Sequence, residues 1–165
     1  MAKKTPKQVE LNVPIITAEG EVVVMTLRIA YCEEGWRVLH VMGCQGKNTD
    51  TNSTIRAAWR AANVYMPTNL IAQIGDLQQI SKTNVQNCQL ALAIGIALLS
   101  NQIKIPGIEK CLIAGTLDIA GNIYPPKGID AALFDKVASD AGLKSFGCKA
   151  SGAQATLDTL VGLVP

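Results

Sequence analysis

The sequence predicts an α/β domain in which helices cover a mixed β-sheet. Early runs of alternating apolar residues lie between turn signals, and helical and strand-like segments then alternate. One stretch, Leu90 to Leu99, is apolar on every side and reads as a central buried helix. The 165 residues are 48% hydrophobic, enough to bury one sizeable core. Charged residues make up only 17%, so much of the surface must be amide, hydroxyl and glycine, or must lie in a subunit contact.

Residues 1–7 read as a loose tail, and 8–165 as a single domain. Leu11, Val13 and Ile15 alternate with other residues, as a strand with one buried face requires. Ala18 to Glu21 is a turn signal, and the β-branched run Val22 to Ile29 completes a hairpin. After Glu33-Glu34-Gly35, Trp36 to Met42 reads as a third strand, followed by the polar stretch Gly43 to Asn52. A helix is expected from Thr51 to Tyr65, with Ile55, Ala58, Trp59 and Ala62 as its apolar stripe and Pro67 as its stop. Leu70 to Ile74 is a strand, 77–84 a polar loop, and Val85 to Leu99 the central helix. Cys111 to Leu117 is a buried strand, Asp118 to Gly121 a turn, and Asn122 to Tyr124 a short return strand. A helix from Ile129 to Ala141 stops at Gly142. Lys144 to Cys148 is a last strand and Ala153 to Leu163 a closing helix. The expected order is β-β-β-α-β-α-β-β-α-β-α.

Composition argues against several classes. The net charge of +2 leaves no strong nucleic-acid footprint. Five cysteines, at 32, 44, 88, 111 and 148, have no metal-ligand spacing, and His40 is the single histidine, so neither a metal nor a cofactor is expected. Reduced thiols fit a cytoplasmic protein. The Lys-rich start, Met1 to Gln8, leads into no apolar signal core. Leu90 to Leu99 has about half the ~20 residues of a membrane helix, so no membrane association is expected.

Two segments carry a family resemblance. "LIAGTLDIAGNIYPPKGIDAALFDKVASDAGLKSF" resembles the second half of a Lon-type proteolytic domain, through Gly115, Gly121, Pro125, Gly128 and the Ala141-Gly142 ending. "CQLALAIGIALLSNQI" resembles that fold's central helix. Over roughly residues 20–150 the chain is similar to the N-terminal domain of the magnesium-chelatase-like competence ATPases. There "WRVLHVMGCQGKNTDTNSTIRAAWRAA" matches a strand, a Gly-containing loop and an Arg-bearing helix, and Pro125-Pro126-Lys127-Gly128 matches a Pro-x-Lys-Gly element. The C-terminal domain of the RadA-type DNA-repair ATPases shares the fold. The chain departs from the chelatase-like pattern at Thr116 and Ala120, where acidic residues are usual, and at Tyr124, where Arg is usual.

The resemblance implies where a proteolytic dyad would stand. Lon-type cleavage uses a serine at the start of the central helix and a lysine that accepts its proton. Matching the segments puts Gln89 at the serine position and Asp130 at the lysine position. An amide is not a competent nucleophile and a carboxylate is not that amine, so no catalytic residue is expected. Cys88, beside Gln89, reads as a small buried residue rather than a substitute nucleophile. Ser81 and Lys82 are sequence neighbours, a poor geometry for a dyad. Gly43 to Thr49 fails as a phosphate loop: its glycines are too close together, and Asn48, not Ser or Thr, follows Lys47. An ATPase, if one is involved, is expected to be a separate protein.

Lys47, Arg56, Arg60 and Lys127 are the basic candidates for nucleic acid, with Arg56 and Arg60 on one helix face. Seven aromatics are too few to suggest a stacking platform for single strands. The expected function is therefore a non-proteolytic Lon-fold module that self-associates, in a ring as the resemblance implies, or docks on a partner such as an AAA+ ATPase. The alternatives are a DNA-associated accessory factor in repair, uptake or mobile-element processing, and a hydrolase with an unrecognised nucleophile.

Overall fold

A computed structural model describes residues 8–32, 39–44, 49–147 and 155–156. Strands β1 (Gln8–Ile16) and β2 (Val22–Tyr31) form the expected hairpin, in register from Gln8 opposite Ala30 to Ile16 opposite Val22. Its turn is closed by the Thr17 N–H donating to the Glu21 carbonyl at 2.7 Å, with Gly20 at φ 85°. Leu11, Val13 and Ile15 are all but fully buried, as the alternation predicts.

Three further strands extend the hairpin on both sides: β3 (His40–Val41), β4 (Leu70–Ile74) and β5 (Cys111–Ala114). With β8 (Lys144–Gly147) they complete a six-stranded sheet, ordered β3-β4-β2-β1-β5-β8. Pairing is antiparallel at β1–β2 and β2–β4, and parallel at β3–β4, β1–β5 and β5–β8. This is the mixed α/β architecture expected. A second sheet joins β6 (Thr116–Leu117), β7 (Asn122–Tyr124) and β9 (Ala155–Thr156) in the order β6-β7-β9.

The helices are α1 (Thr49–Ala61), α2 (Lys82–Asn87), α3 (Gln89–Leu99) and α4 (Ala131–Asp140). Helix α3 is buried along almost its whole length against one face of the main sheet. Gly95 permits the close approach: a Cβ there would stand 2.4 Å from the Cδ1 of Ile29. Helix α1 packs beside it, and the fully buried Trp59 donates its indole N–H to the Ala93 carbonyl at 2.7 Å. Alternate residues of β5 separate the layers. Cys111 and Ile113 join the α3 core, whereas Leu112 and Ala114 join Ile129, Phe134 and Ala138 beneath α4. Helix α4 therefore lies on the opposite face.

Several boundaries differ from expectation. Of the strand expected from Trp36 to Met42, His40–Val41 is a strand, Leu39 and Met42 are not, and 36–38 lie outside the described residues. Helix α1 ends at Ala61 instead of Tyr65, because Asn63 takes the left-handed conformation at φ 61° before Pro67 can act. The polar loop 77–84 contains a helix start: Ser81 caps α2 by accepting from the Asn84 N–H at 3.2 Å. The central helix is two helices, broken at Cys88. The strand from Cys111 to Leu117 divides at Gly115 between two sheets. Helix α4 starts two residues later than expected, after its cap. Within the expected closing helix Ala153 to Leu163, Ala155–Thr156 is strand, drawn into pairing with β7; its other residues, Cys148 and the tail 1–7 lie outside the described residues.

Candidate functional site

The central helix begins at the junction of α2 and α3, where the resemblance places a nucleophile. Three of the five buried polar residues among the described ones gather here: Asn84, Asn87 and Gln89 are 5%, 1% and 8% exposed. Buried amides need partners, and each of these finds backbone. Asn84 accepts from the Ile16 N–H at 2.9 Å and donates to the Ile16 carbonyl at 3.0 Å, acting as a one-residue strand partner at the end of β1. Asn87 does the same to Lys127, accepting from its N–H at 2.8 Å and donating to its carbonyl at 2.9 Å. Gln89 accepts from the Leu117 N–H at 2.9 Å through Oε1.

Backbone bonds complete the junction. The Gly115 N–H donates to the Asn87 carbonyl at 3.0 Å, and the Leu90 N–H donates to the Gly115 carbonyl at 3.2 Å. On its other side Gly115 lies close to β7: a Cβ would meet the Tyr124 carbonyl oxygen at 3.2 Å. The amides thus join the ends of β1, β6 and the Pro125–Gly128 loop to the start of α3.

The Gln89 carboxamide is therefore committed to β6. Asp130 caps α4, its Oδ1 accepting from the Leu133 N–H at 2.7 Å. The two positions serve different backbone groups, and their side chains offer neither a hydroxyl nor an amine. Cys88, directly before Gln89 at the α2–α3 break, is fully buried, and burial pushes its thiol up to about 12. A thiol in that state supplies almost no thiolate at neutral pH. Iodoacetamide labelling of the native protein, read by peptide mass spectrometry, is expected to mark the half-buried Cys32 and Cys44 and to spare Cys88 from pH 7 to pH 9. Native labelling of Cys88 would show an accessible, activated thiol.

The basic candidates address different elements. Arg56 is half-buried and its Nη1 approaches the Met66 carbonyl at 3.5 Å, a long contact beyond the C-terminus of α1. Arg60, one turn on, is exposed. The exposed Lys127 directs Nζ to Gln86 Oε1 at 3.4 Å. Lys47 lies outside the described residues.

The β6–β7 turn holds a second polar cluster that pattern reasoning missed. Asp118 Oδ1 accepts from the N–H groups of Ala120 and Asn122, both at 2.9 Å; Oδ2 accepts from Asn122 Nδ2 at 2.9 Å and from the Tyr124 hydroxyl at 3.0 Å. The Asn122 side chain foremost, then its backbone, Tyr124 and Ala120, hold the Asp118 carboxyl below its ordinary 3.8, against an opposing push from burial. The same contact raises the Tyr124 hydroxyl. A depressed carboxyl stabilises the fold above its unfolded pKa, and that contribution is lost as pH falls through the folded value. Urea unfolding should therefore separate the wild type from Asp118→Ala at pH 7, and the gap should begin to narrow as pH falls below 3.8 and shrink further as the lower folded-state value is passed. The legible signal was the Asp-x-x-Gly-Asn spacing of a turn that binds its own backbone.

Among the described residues, no group of three His, Cys, Asp or Glu side chains could hold a metal ion, and no helix is long and apolar enough to cross a membrane. No protein-family model matches the chain, and no curated protein matches it significantly.

Proposed function

We propose that this chain is a non-proteolytic assembly module with a Lon-like fold, one that self-associates or docks on a partner such as a separate ATPase. The observation that carries the reading is the commitment of Gln89 to the Leu117 N–H, at the position where the resemblance puts a nucleophile. Asp130 as a helix cap and Cys88 as a buried thiol support it from either side. The three buried amides of the junction all bind backbone, and so serve to position loops.

The surface supports the same reading. Tyr65 and Ile119 are 72% and 70% exposed, and Met42, Tyr31 and Tyr124 are also exposed. Aromatic and methionine side chains are enriched in protein contacts, and four of these five are of that kind. Sedimentation equilibrium of the purified chain at micromolar concentration tests the self-association arm. The expected result is a mass above 17.5 kDa that rises with concentration; a monomer throughout would remove that arm.

A further inference from the structure

A groove of about 810 Å³ opens where the β1–β2 turn faces the segment leading into α2. Ile15, Met25, Leu77 and Ile80 supply its apolar lining, Ala18 stands on the hairpin side, and Lys82 is the charged residue in the lining. The groove lies where the sheet's apolar face runs out from under its helices: Leu27 and Ile29 are fully buried, whereas Met25, on the same face, is half-buried.

The chain also carries a side chain suited to such a groove. Ile119 is 70% exposed at the tip of the β6–β7 turn, far more than an isoleucine usually is. The turn beneath it is held by the four bonds to Asp118, and by the Gly121 N–H donating to the Asp118 carbonyl at 3.1 Å. An aliphatic group on an ordered turn loses little conformational freedom on docking. Directly before it stands the Asp118 carboxylate. The knob thus pairs an apolar tip with a negative charge, and the groove pairs an apolar floor with the Lys82 ammonium. Glu19 and Glu21, in the hairpin turn, lie outside the groove's lining.

We propose that the β6–β7 turn of one copy, led by Ile119, seats in the β1–β2/α2 groove of a second copy. This rests on the self-association reading above and names its surface. Knob and groove come from different segments, so the contact is heterologous, and repetition of it gives a closed ring or an open chain. A contact built on one turn and one groove is small, so assembly depends on concentration.

Sedimentation velocity of the full chain over about 1–100 μM tests the pairing, a span that covers contacts of micromolar Kd. The knob variant is Ile119→Asp. The groove variant is Ala18→Glu with Lys82→Glu, which sets two carboxylates against Asp118. All three positions are exposed, and far-UV circular dichroism checks that both variants are folded. The wild type is expected to assemble and each variant alone to run as a 17.5 kDa monomer. Mixed, the two variants should form a single dimer of about 35 kDa, twice the chain mass, because one intact knob still meets one intact groove. Variants that assemble like the wild type would overturn the pairing and leave self-association standing on another face. Monomeric variants whose mixture stays monomeric would also overturn it. A wild type that is monomeric throughout would overturn the pairing together with the self-association reading.

Discussion

Trp59→Ala is expected to destabilise the protein by about 3–5 kcal/mol, the cost of emptying a large aromatic site in a closely packed core. Trp59 is fully buried and joins α1 to α3 through the Ala93 carbonyl. Truncation removes the ring contacts and the indole donor together. The core that encloses Trp59 draws on α1, α3 and the main sheet, so the space cannot close without these elements moving together. At roughly 2–4 °C per kcal/mol for a chain of this size, thermal unfolding should shift down by about 6–20 °C. Trp59→Phe keeps most of the volume and loses the hydrogen bond, so it should fall between the two. A Trp59→Ala protein within a degree of the wild type would mean that α1 is not docked on α3 as described.

Asn87→Leu is the second large effect, expected at about 2–3 kcal/mol. The side chain is nearly isosteric, so the loss is not a cavity. It leaves the Lys127 N–H and carbonyl without the partners that now lie at 2.8 and 2.9 Å, and each deserted backbone group costs about 1–3 kcal/mol where water cannot replace the bond. Because Lys127 is exposed, water recovers part of this at the loop's outer edge. Hydrogen exchange supplies a local readout: the Lys127 amide should exchange far faster in the variant, while amides of the β1–β2 hairpin should keep their ranking. Equal protection at Lys127 in both proteins would show that the amide does not hold the loop.

The elements with strong periodicity were legible in the sequence. The alternation of Leu11, Val13 and Ile15 marked the face of β1 that packs under α3, although Pro14 on the other face is buried as well, and the all-apolar run Leu90 to Leu99 identified the helix at the centre. What was not legible depended on contacts between distant segments. The break at Cys88 follows from three amides reaching β1, β6 and the Pro125–Gly128 loop, none of them a local partner. The division of the Cys111 to Leu117 strand follows from Gly115 bonding to Asn87 and Leu90. The strand at Ala155–Thr156 arises from pairing with β7, a preference its own composition does not show.

The candidate site was partly legible. The resemblance put Gln89 and Asp130 at the two positions, and their side chains carry neither a hydroxyl nor an amine. It did not show what those residues do instead. Asp130 gave a readable cap signal, an acidic residue directly before a helical pattern. Asn84 and Asn87 stood in plain view as amides opening an apolar helix, but their bonds to Ile16 and Lys127 span 68 and 40 residues. Asp118, Asn122 and Tyr124 were read as turn and strand residues, without the network that makes the turn rigid.

The most direct test of the central claim is the release of acid-soluble peptides from unfolded casein by the purified chain, followed beside Gln89→Ala and Asp130→Ala. With the Gln89 amide bound to β6 and the Asp130 carboxylate capping α4, release should match the protein-free control in all three samples. Peptide release by the wild type that disappears in Gln89→Ala would contradict the account.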